Sequence, residues 1–375
     1  MFRNLSIKNY DFKLIIYVVA LNIIGILAVG SANSSLQLRQ IEGAIMGFFL
    51  MIVVSLFDYK VILKFYWLWY AINAALLIAV LIAGDTTNNA TRWFEIAGIR
   101  FQPSETAKIL LIIFFAQFIM KYRDKINTLR FLISYFVVAM LPLYLIFSQP
   151  DLSTTLAVFV VILTLLFLAG LDYRIIIGAL LVVIPSSIIF ISIILKEGQT
   201  LLNGYQRKRI LSFFYPEKFV DDAYQQINSV IAIGSGRLTG KGLNNNIISS
   251  LKNGKFIIMP DTDFIFAVIG EELGFIGSLA VILLLFLICF ECFSISRRAQ
   301  DKAGLCIAAG IGTLIGIQSF FNIGVATFIL PNTGLPLPFV SYGLTSLVSS
   351  YIGIGFALNV GFRSGKKREL RETVI

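Results

Sequence analysis

Apolar runs close to twenty residues long, separated by short polar connections, repeat along almost the whole chain: 13–32, 41–57, 65–83, 104–121, 131–147, 154–171, 173–195, 263–292, 304–330 and 342–362. Each is long enough to cross about 30 Å of hydrocarbon as an α-helix. The pattern predicts an all-α polytopic membrane protein with about ten transmembrane helices in one integral membrane domain, 1–375. It lapses over 196–262, which predicts a long extracytoplasmic loop between helices 7 and 8. The first run is too long, and too poorly flanked by small residues, for a cleaved signal peptide, and is expected to remain as an anchor.

Composition agrees: 57% of the 375 residues are hydrophobic and 14% charged. The mean hydropathy of +0.85 excludes an ordinary soluble domain. Charge adds orientation, because Lys and Arg resist export. The basic segments "MFRNLSIKNYDFK", "FDYKVILK", "MKYRDKINTLR", "LDYR", "SRRAQDK" and "FRSGKKRELR" fall on one side of a ten-span chain, whereas "SQPDLS" and "LPNTGLPLPFVSY" opposite them hold no Lys or Arg. Both termini are therefore expected in the cytoplasm. Topology also accounts for most of the net charge of +10, whose scatter over separate loops argues against a nucleic-acid partner. Cys289, Cys292 and Cys306 lie in apolar spans and read as packing rather than redox or zinc chemistry. The chain has no histidine, which removes Ser-His and Cys-His triads and leaves carboxylates, Lys, Tyr or water to move protons.

Non-lipid chemistry concentrates in "AGDTTNNATRWFEIAGIRFQPSETAK" and in the long loop. In the loop, Asp221 or Asp222 is placed to cap a helix whose Ala223, Ile227, Val230 and Ile231 share a face, so a helix lying along the membrane surface is expected. "GSGRLTGKG" lacks the phosphate-loop pattern and reads as a helix stop with turns. Ionisable or polar groups at membrane depth each need a partner or a task. Glu105 and Lys108, three apart after Pro103, share a helix face, as a structural ion pair or as substrate-lining groups. Arg92-Trp93 suits an interfacial anchor. Gln149-Pro150-Asp151 reads as a turn and N-cap. Arg207-Lys208-Arg209 is a cationic cluster that suits an anionic headgroup or pyrophosphate, or snorkelling beside "ILSFF". "LPNTGLPLPFVSYG" reads as a re-entrant loop. Asp263 stands at the mouth of the eighth span, with Gly270, Gly274 and Gly277 on nearly one face below it. That bare face suits either close helix packing or a groove for a lipid chain roofed by the carboxylate. Asp261 is expected in solvent, while Glu271 and Glu272 lie deeper and need internal partners.

Five of these segments, in order, resemble the SEDS family (RodA, FtsW and SpoVE): "RWFEIAGIRFQPSETAK", "QPDLSTT", "YQQINSVIAIGSGRLTGKGL", "TDFIFAVIGEELGFIG" and "LPNTGLPLPFVSYGLTSL". "SLFDY" and the short termini look most like the RodA branch. The resemblance implies a peptidoglycan glycosyltransferase that polymerises lipid II onto a growing lipid-linked glycan at the outer face of the bacterial cytoplasmic (inner) membrane. It also implies a class B penicillin-binding protein as transpeptidase partner, alongside other cell-wall elongation proteins and membrane lipids. Asp263 matches the family's essential aspartate and is expected to be the general base, with inversion at the donor carbon. The matched segments and their polar neighbours supply the expected substrate-binding positions: Arg92, Trp93, Gln102, Ser104, Glu105, Lys108, Gln149, Asp151, Tyr205, Arg207, Arg209, Lys241, Thr262, Asn322, Ser341 and Tyr342. Cations such as Arg207, Lys208 or Lys241, or a divalent ion (Mg2+ or Mn2+), are expected to stabilise the departing pyrophosphate. The chain departs from the family at "IIMPDTD", where a Pro-Glu-x-His is usual, and at Asn89, Ser153 and "GLTSL". Without the histidine, suspicion concentrates on Asp263. Two other classes fit ten spans with intramembrane carboxylates: a lipid flippase or proton-coupled carrier, and a silent scaffold. The first calls for midplane polar chemistry and the second for no retained aspartate.

Overall fold

The computed structural model describes residues 10–87, 90–96, 99–195, 204–243 and 259–364. The chain runs α1 (Phe12–Ala32), α2 (Ser34–Leu56), α3 (Tyr59–Lys64), α4 (Tyr66–Ala83), β1 (Asp85–Thr87), β2 (Ala90–Ile96), β3 (Ile99–Phe101), α5 (Pro103–Lys121), α6 (Leu129–Ser148), α7 (Leu152–Ala169) and α8 (Tyr173–Ile194). After them come α9 (Gly204–Phe214), α10 (Val220–Ser235), α11 (Ile265–Arg298), α12 (Lys302–Ala326) and α13 (Leu344–Ser364). Among the described residues, nine of these helices are long and apolar enough to cross a membrane. α8, over the seventh apolar run, is a helix of 22 residues that includes a shorter apolar stretch, Tyr173–Val183. The fold is that of an all-α polytopic membrane protein.

α5, α12 and α13 form the centre, buried over most of their length, while α4 and much of α11 face outward. α5 is apolar nearly all round, as a helix surrounded by others must be. Small residues let helices close on one another: Gly43 and Gly47 of α2 face Leu344 and Tyr351 of α13 with no room for a Cβ.

Three features differ from expectation. A small antiparallel sheet, β1-β2-β3, covers the segment before α5, pairing Phe94 with Phe101 and Trp93 with Asp85; Asn89 lies outside the described residues. In α10 the helix begins at Val220 after Phe219, so Asp221 and Asp222 sit in its first turn rather than capping it. Its buried face is Ala223, Gln226, Ser229 and Ala232, whereas Ile227, Val230 and Ile231 are exposed. Small and hydrogen-bonding residues pack inward there because lipid accepts the branched ones.

The third feature is a break. α11 is interrupted at Gly274, whose φ of 65° and ψ of −160° are not helical. Residues 236–242 fit against the break and replace its lost backbone bonds. Lys241 and Gly242 donate N–H to the carbonyls of Glu271 and Glu272 (3.0 and 2.9 Å), and Phe275 and Ile276 donate to Arg237 and Leu238 (2.8 and 3.2 Å). Irregular backbone at this depth is tolerated only when so satisfied. The approach is backbone on backbone: a Cβ on Gly240 would lie 2.1 Å from the Glu272 carbonyl, and one on Gly236 1.9 Å from that of Gly270. Of the two readings of that glycine face, close packing is the one that Gly270 and Gly274 fulfil, against Ile233 and against Leu238 and Gly240. "GSGRLTGKG" is the helix stop and turns that its glycines indicated.

Candidate active site

Asp263 lies in the turn that leads into α11, at the loop-rich end of the bundle. Its backbone is fastened on several sides. Asn322 of α12 donates to the Asp263 carbonyl (3.0 Å) and to that of Leu335 (2.8 Å). Ser341 donates Oγ–H to the Thr262 carbonyl (2.7 Å) while accepting the Leu337 N–H (2.8 Å). The Tyr342 N–H reaches the Asp261 carbonyl at 2.8 Å. The proline-rich segment 331–338 has no internal ladder to stiffen it, and these side-chain bonds supply the missing partners.

Four charged groups from separate elements influence the Asp263 carboxyl. Burial is the largest effect and raises its pKa above the ordinary carboxylate range. Arg209 of α9 and Arg92 of β2 oppose that rise, while Asp261 and Asp151 add to it. Arg92 is fixed by donating Nε–H to the Gln149 carbonyl at 2.8 Å and an Nη2 proton to that of Pro150. Asp151 caps α7, accepting from the Thr154 N–H (3.1 Å) and hydroxyl (2.9 Å), so Gln149-Pro150-Asp151 forms the expected turn and cap. Ser153 then ties α7 to the proline-rich segment through the Thr333 carbonyl at 2.7 Å.

The structure thus gathers Asp263, Arg209, Arg92 and Asp151 around one place, with Thr262 and Tyr342 adjoining through the backbone. Other expected site positions go elsewhere. Lys241 pairs with the buried Glu271 at 2.7 Å, so it is occupied in the α11 break rather than standing as a cation for substrate. Asn322 and Ser341 are buried and hold backbone, which makes them positioning residues instead of substrate contacts. Glu105 and Lys108 pair at 2.7 Å inside the bundle, each side chain 4% exposed or less. The cavity beside them, shared with Gln318 and Ser349, has about 10 Å³, near the room one water needs. It cannot take a sugar, so the ion-pair reading prevails over substrate lining. Gln149 is buried and donates to the Leu77 carbonyl (3.3 Å). Gln102 and Ser104 bond each other at the buried start of α5 (3.0 Å). Arg207 reaches the Ile194 carbonyl at 3.5 Å, Trp93 is half-buried on β2, and the side chain of Tyr205 in the first turn of α9 lies outside the described residues. Asp261, expected in solvent, is half-buried.

Sequence reasoning missed Gly334. This residue has a φ of +74°, and a Cβ built on it would stand 3.4 Å from Asp263 Oδ2 and 3.6 Å from Arg209 Nη1. A glycine amid three prolines was the available signal. Among the described residues no group of three or more His, Cys, Asp or Glu side chains could hold a metal ion.

The chain matches the FtsW/RodA/SpoVE family model, described as cell cycle protein, over residues 8–365. It is 32% identical to the probable peptidoglycan glycosyltransferase FtsW of Geobacter sulfurreducens, over 96% of each chain. It is 34% identical to the peptidoglycan glycosyltransferase MrdB of Escherichia coli, over 94% of this chain and 93% of that one. A solved peptidoglycan synthase complex, described as coordinating polymerization and crosslinking, contains a chain similar to it (TM-score 0.76, 25% identity, 94% and 97% covered). The rod shape determining protein RodA of Thermus thermophilus shares the fold (TM-score 0.67, 24% identity, 94% and 96% covered).

Proposed function

The chain belongs to the FtsW/RodA/SpoVE family of multi-pass membrane proteins, and from that premise we propose that it is a peptidoglycan glycosyltransferase that polymerises lipid II at the outer face of the cytoplasmic membrane. The observation that carries this reading is the Asp263 carboxyl, its pKa raised by burial, beside the Arg209 guanidinium at the mouth of the bundle. Joining the sugars requires a base for the acceptor hydroxyl proton and cations for the pyrophosphate that leaves. Asp263 takes the proton, since a raised carboxylate is a better base than an exposed one. Arg209, with Arg92 behind it, stabilises the leaving charge. Direct attack inverts the donor carbon, from the α-linked pyrophosphate to a β-glycoside.

Among the described residues no group of three or more His, Cys, Asp or Glu side chains gathers, and no step is assigned to a divalent ion. Polar chemistry at the loop-rich end, together with a cavity of only about 10 Å³ beside Glu105 and Lys108, favours the transferase over a carrier, which needs an accessible polar site within the membrane. A class B penicillin-binding protein is the proposed partner, since the similar chain in the synthase complex works beside a crosslinking activity. "SLFDY" supports the elongation role, with a division or sporulation role as the second reading because relatives carry both the FtsW and MrdB names. The test is purified protein given labelled lipid II: long glycan strands are expected, and their absence with the partner present would overturn the reading.

A further inference from the structure

Gly334 lies where Asp263 and Arg209 face each other. A Cβ built there would be 3.4 Å from Asp263 Oδ2, 3.6 Å from Arg209 Nη1 and 3.8 Å from Nη2. Both charged groups therefore border the volume that a side chain would fill, and Gly334 leaves that volume to something else. An atom in it is nearly within hydrogen-bonding reach of a carboxylate and of a guanidinium together, which suits a hydroxyl oxygen: it gives its proton to the carboxylate and accepts from the guanidinium. The surrounding backbone keeps the volume from closing. Asn322 bridges the carbonyls of Asp263 and Leu335, fixing the aspartate against the residue that follows Gly334. Ser153 holds the Thr333 carbonyl on the other side at 2.7 Å.

We propose that Gly334 determines which nucleophile the site accepts: its bare α-carbon forms the floor of the slot for the attacking hydroxyl of the acceptor sugar. This rests on the glycosyltransferase reading above. In the slot, the acceptor O–H proton passes to Asp263 Oδ2 as the acceptor oxygen bonds the donor anomeric carbon. The bond from that carbon to the pyrophosphate oxygen breaks, and its electron pair leaves on the lipid pyrophosphate. Adding a methyl group at 334 displaces the hydroxyl from the base without removing any charge that binds the donor. Donor binding and transfer therefore separate.

The experiment uses full-length protein with its partner transpeptidase and labelled lipid II, comparing Gly334→Ala with Gly334→Asn and Gly170→Ala. The Asn variant matters because asparagine tolerates a positive φ, so folding survives even if Ala is too strained. Gly170 controls for strain alone: its φ is +101° and nothing lies within 4 Å of an added Cβ. Polymer formation is expected to fall about a hundredfold in any folded 334 variant, the cost of a misplaced reacting atom. Labelled lipid II binding is expected to stay within about threefold of the parent, an allowance equal to less than 1 kcal/mol, and Gly170→Ala is expected to polymerise normally. A folded 334 variant with parental polymerisation would overturn the slot. So would loss of lipid II binding in step with turnover, which would place Gly334 in general substrate binding. If the parent itself makes no polymer, the glycosyltransferase reading fails first, and with it the slot.

Discussion

Asn322, near the C-terminal end of α12, holds the carbonyl of Asp263 at 3.0 Å, so the placement of the proposed base is set by a residue on a different helix. The same amide nitrogen holds Leu335 at 2.8 Å. Asn322→Leu removes both bonds, one to the buried Leu335 carbonyl and one to the part-buried Asp263 carbonyl, costing roughly 1–3 kcal/mol for a buried acceptor left unsatisfied. We expect a less stable protein whose polymerisation rate falls by about tenfold or more, because small misplacements of a catalytic group are costly. Thermal unfolding with polymerisation at saturating lipid II checks this; parental turnover in a destabilised variant would show that the segment 331–338 holds Asp263 without help.

Glu105 and Lys108 form the most enclosed ion pair among the described residues, at 2.7 Å with side-chain exposures of 4% and 2%. Removing one partner leaves the other charge buried, an effect of about 3–5 kcal/mol. Glu105→Gln and Lys108→Met are each expected to lower stability strongly, with the double variant recovering much of the loss. A double-mutant cycle in detergent or nanodiscs measures the coupling, and additive single effects would mean that water reaches the pair.

The spans were readable because lipid imposes one rule on every helix surface that meets it. The Glu105–Lys108 pair was readable because three residues make a helical neighbour. In α10, Ile227, Val230 and Ile231 share an outward apolar face, as the spacing indicated, and only Ala223 of the four turns inward. The break at Gly274 was hidden, since a row of glycines reads equally as close packing and as a bend. Asn322 and Ser341 were legible as polar residues near the site but not in their task, because a bond from a side chain to a carbonyl 59 or 79 residues away leaves no local trace. Arg209 and Asp263 meet across the long loop, and only the fold brings them together.

The break in α11 makes a prediction of its own. Gly240 carries a φ of +80° and would place a Cβ 2.1 Å from the Glu272 carbonyl, so Gly240→Ala must lift residues 237–242 away. The amides of Phe275 and Ile276, which donate to Arg237 and Leu238, are expected to exchange with deuterium faster in that variant. Lys241→Ala should act in the same direction by removing its salt bridge to buried Glu271. Hydrogen exchange at those amides is the measurement, and unchanged protection in both variants would show that the segment is not what closes the break.

Asp263→Asn joins stability to function with opposite signs. Burial raises the Asp263 pKa, so the folded protein binds this proton more tightly than the unfolded chain does. The carboxylate therefore adds no penalty below its unfolded value of about 4, and destabilises progressively as pH rises through the window up to its raised folded value. Asparagine has no charge to bury. At neutral pH the variant is accordingly expected to unfold at a temperature equal to or above the parent's, with any advantage vanishing in acid below that window. Its catalysis should behave in the other direction. The amide cannot take a proton, and general-base steps contribute about 10²–10⁴-fold, so polymerisation should fall to about a hundredth or less while labelled lipid II still binds. In the parent, activity should decline as acid protonates Asp263, with a midpoint above the ordinary carboxylate value because the shift is upward. A pH series of thermal unfolding beside a pH–rate profile tests both halves. An Asn variant that polymerises normally would remove Asp263 from proton transfer. A variant markedly less stable at neutral pH would mean that attraction to Arg209 outweighs the burial of the charge.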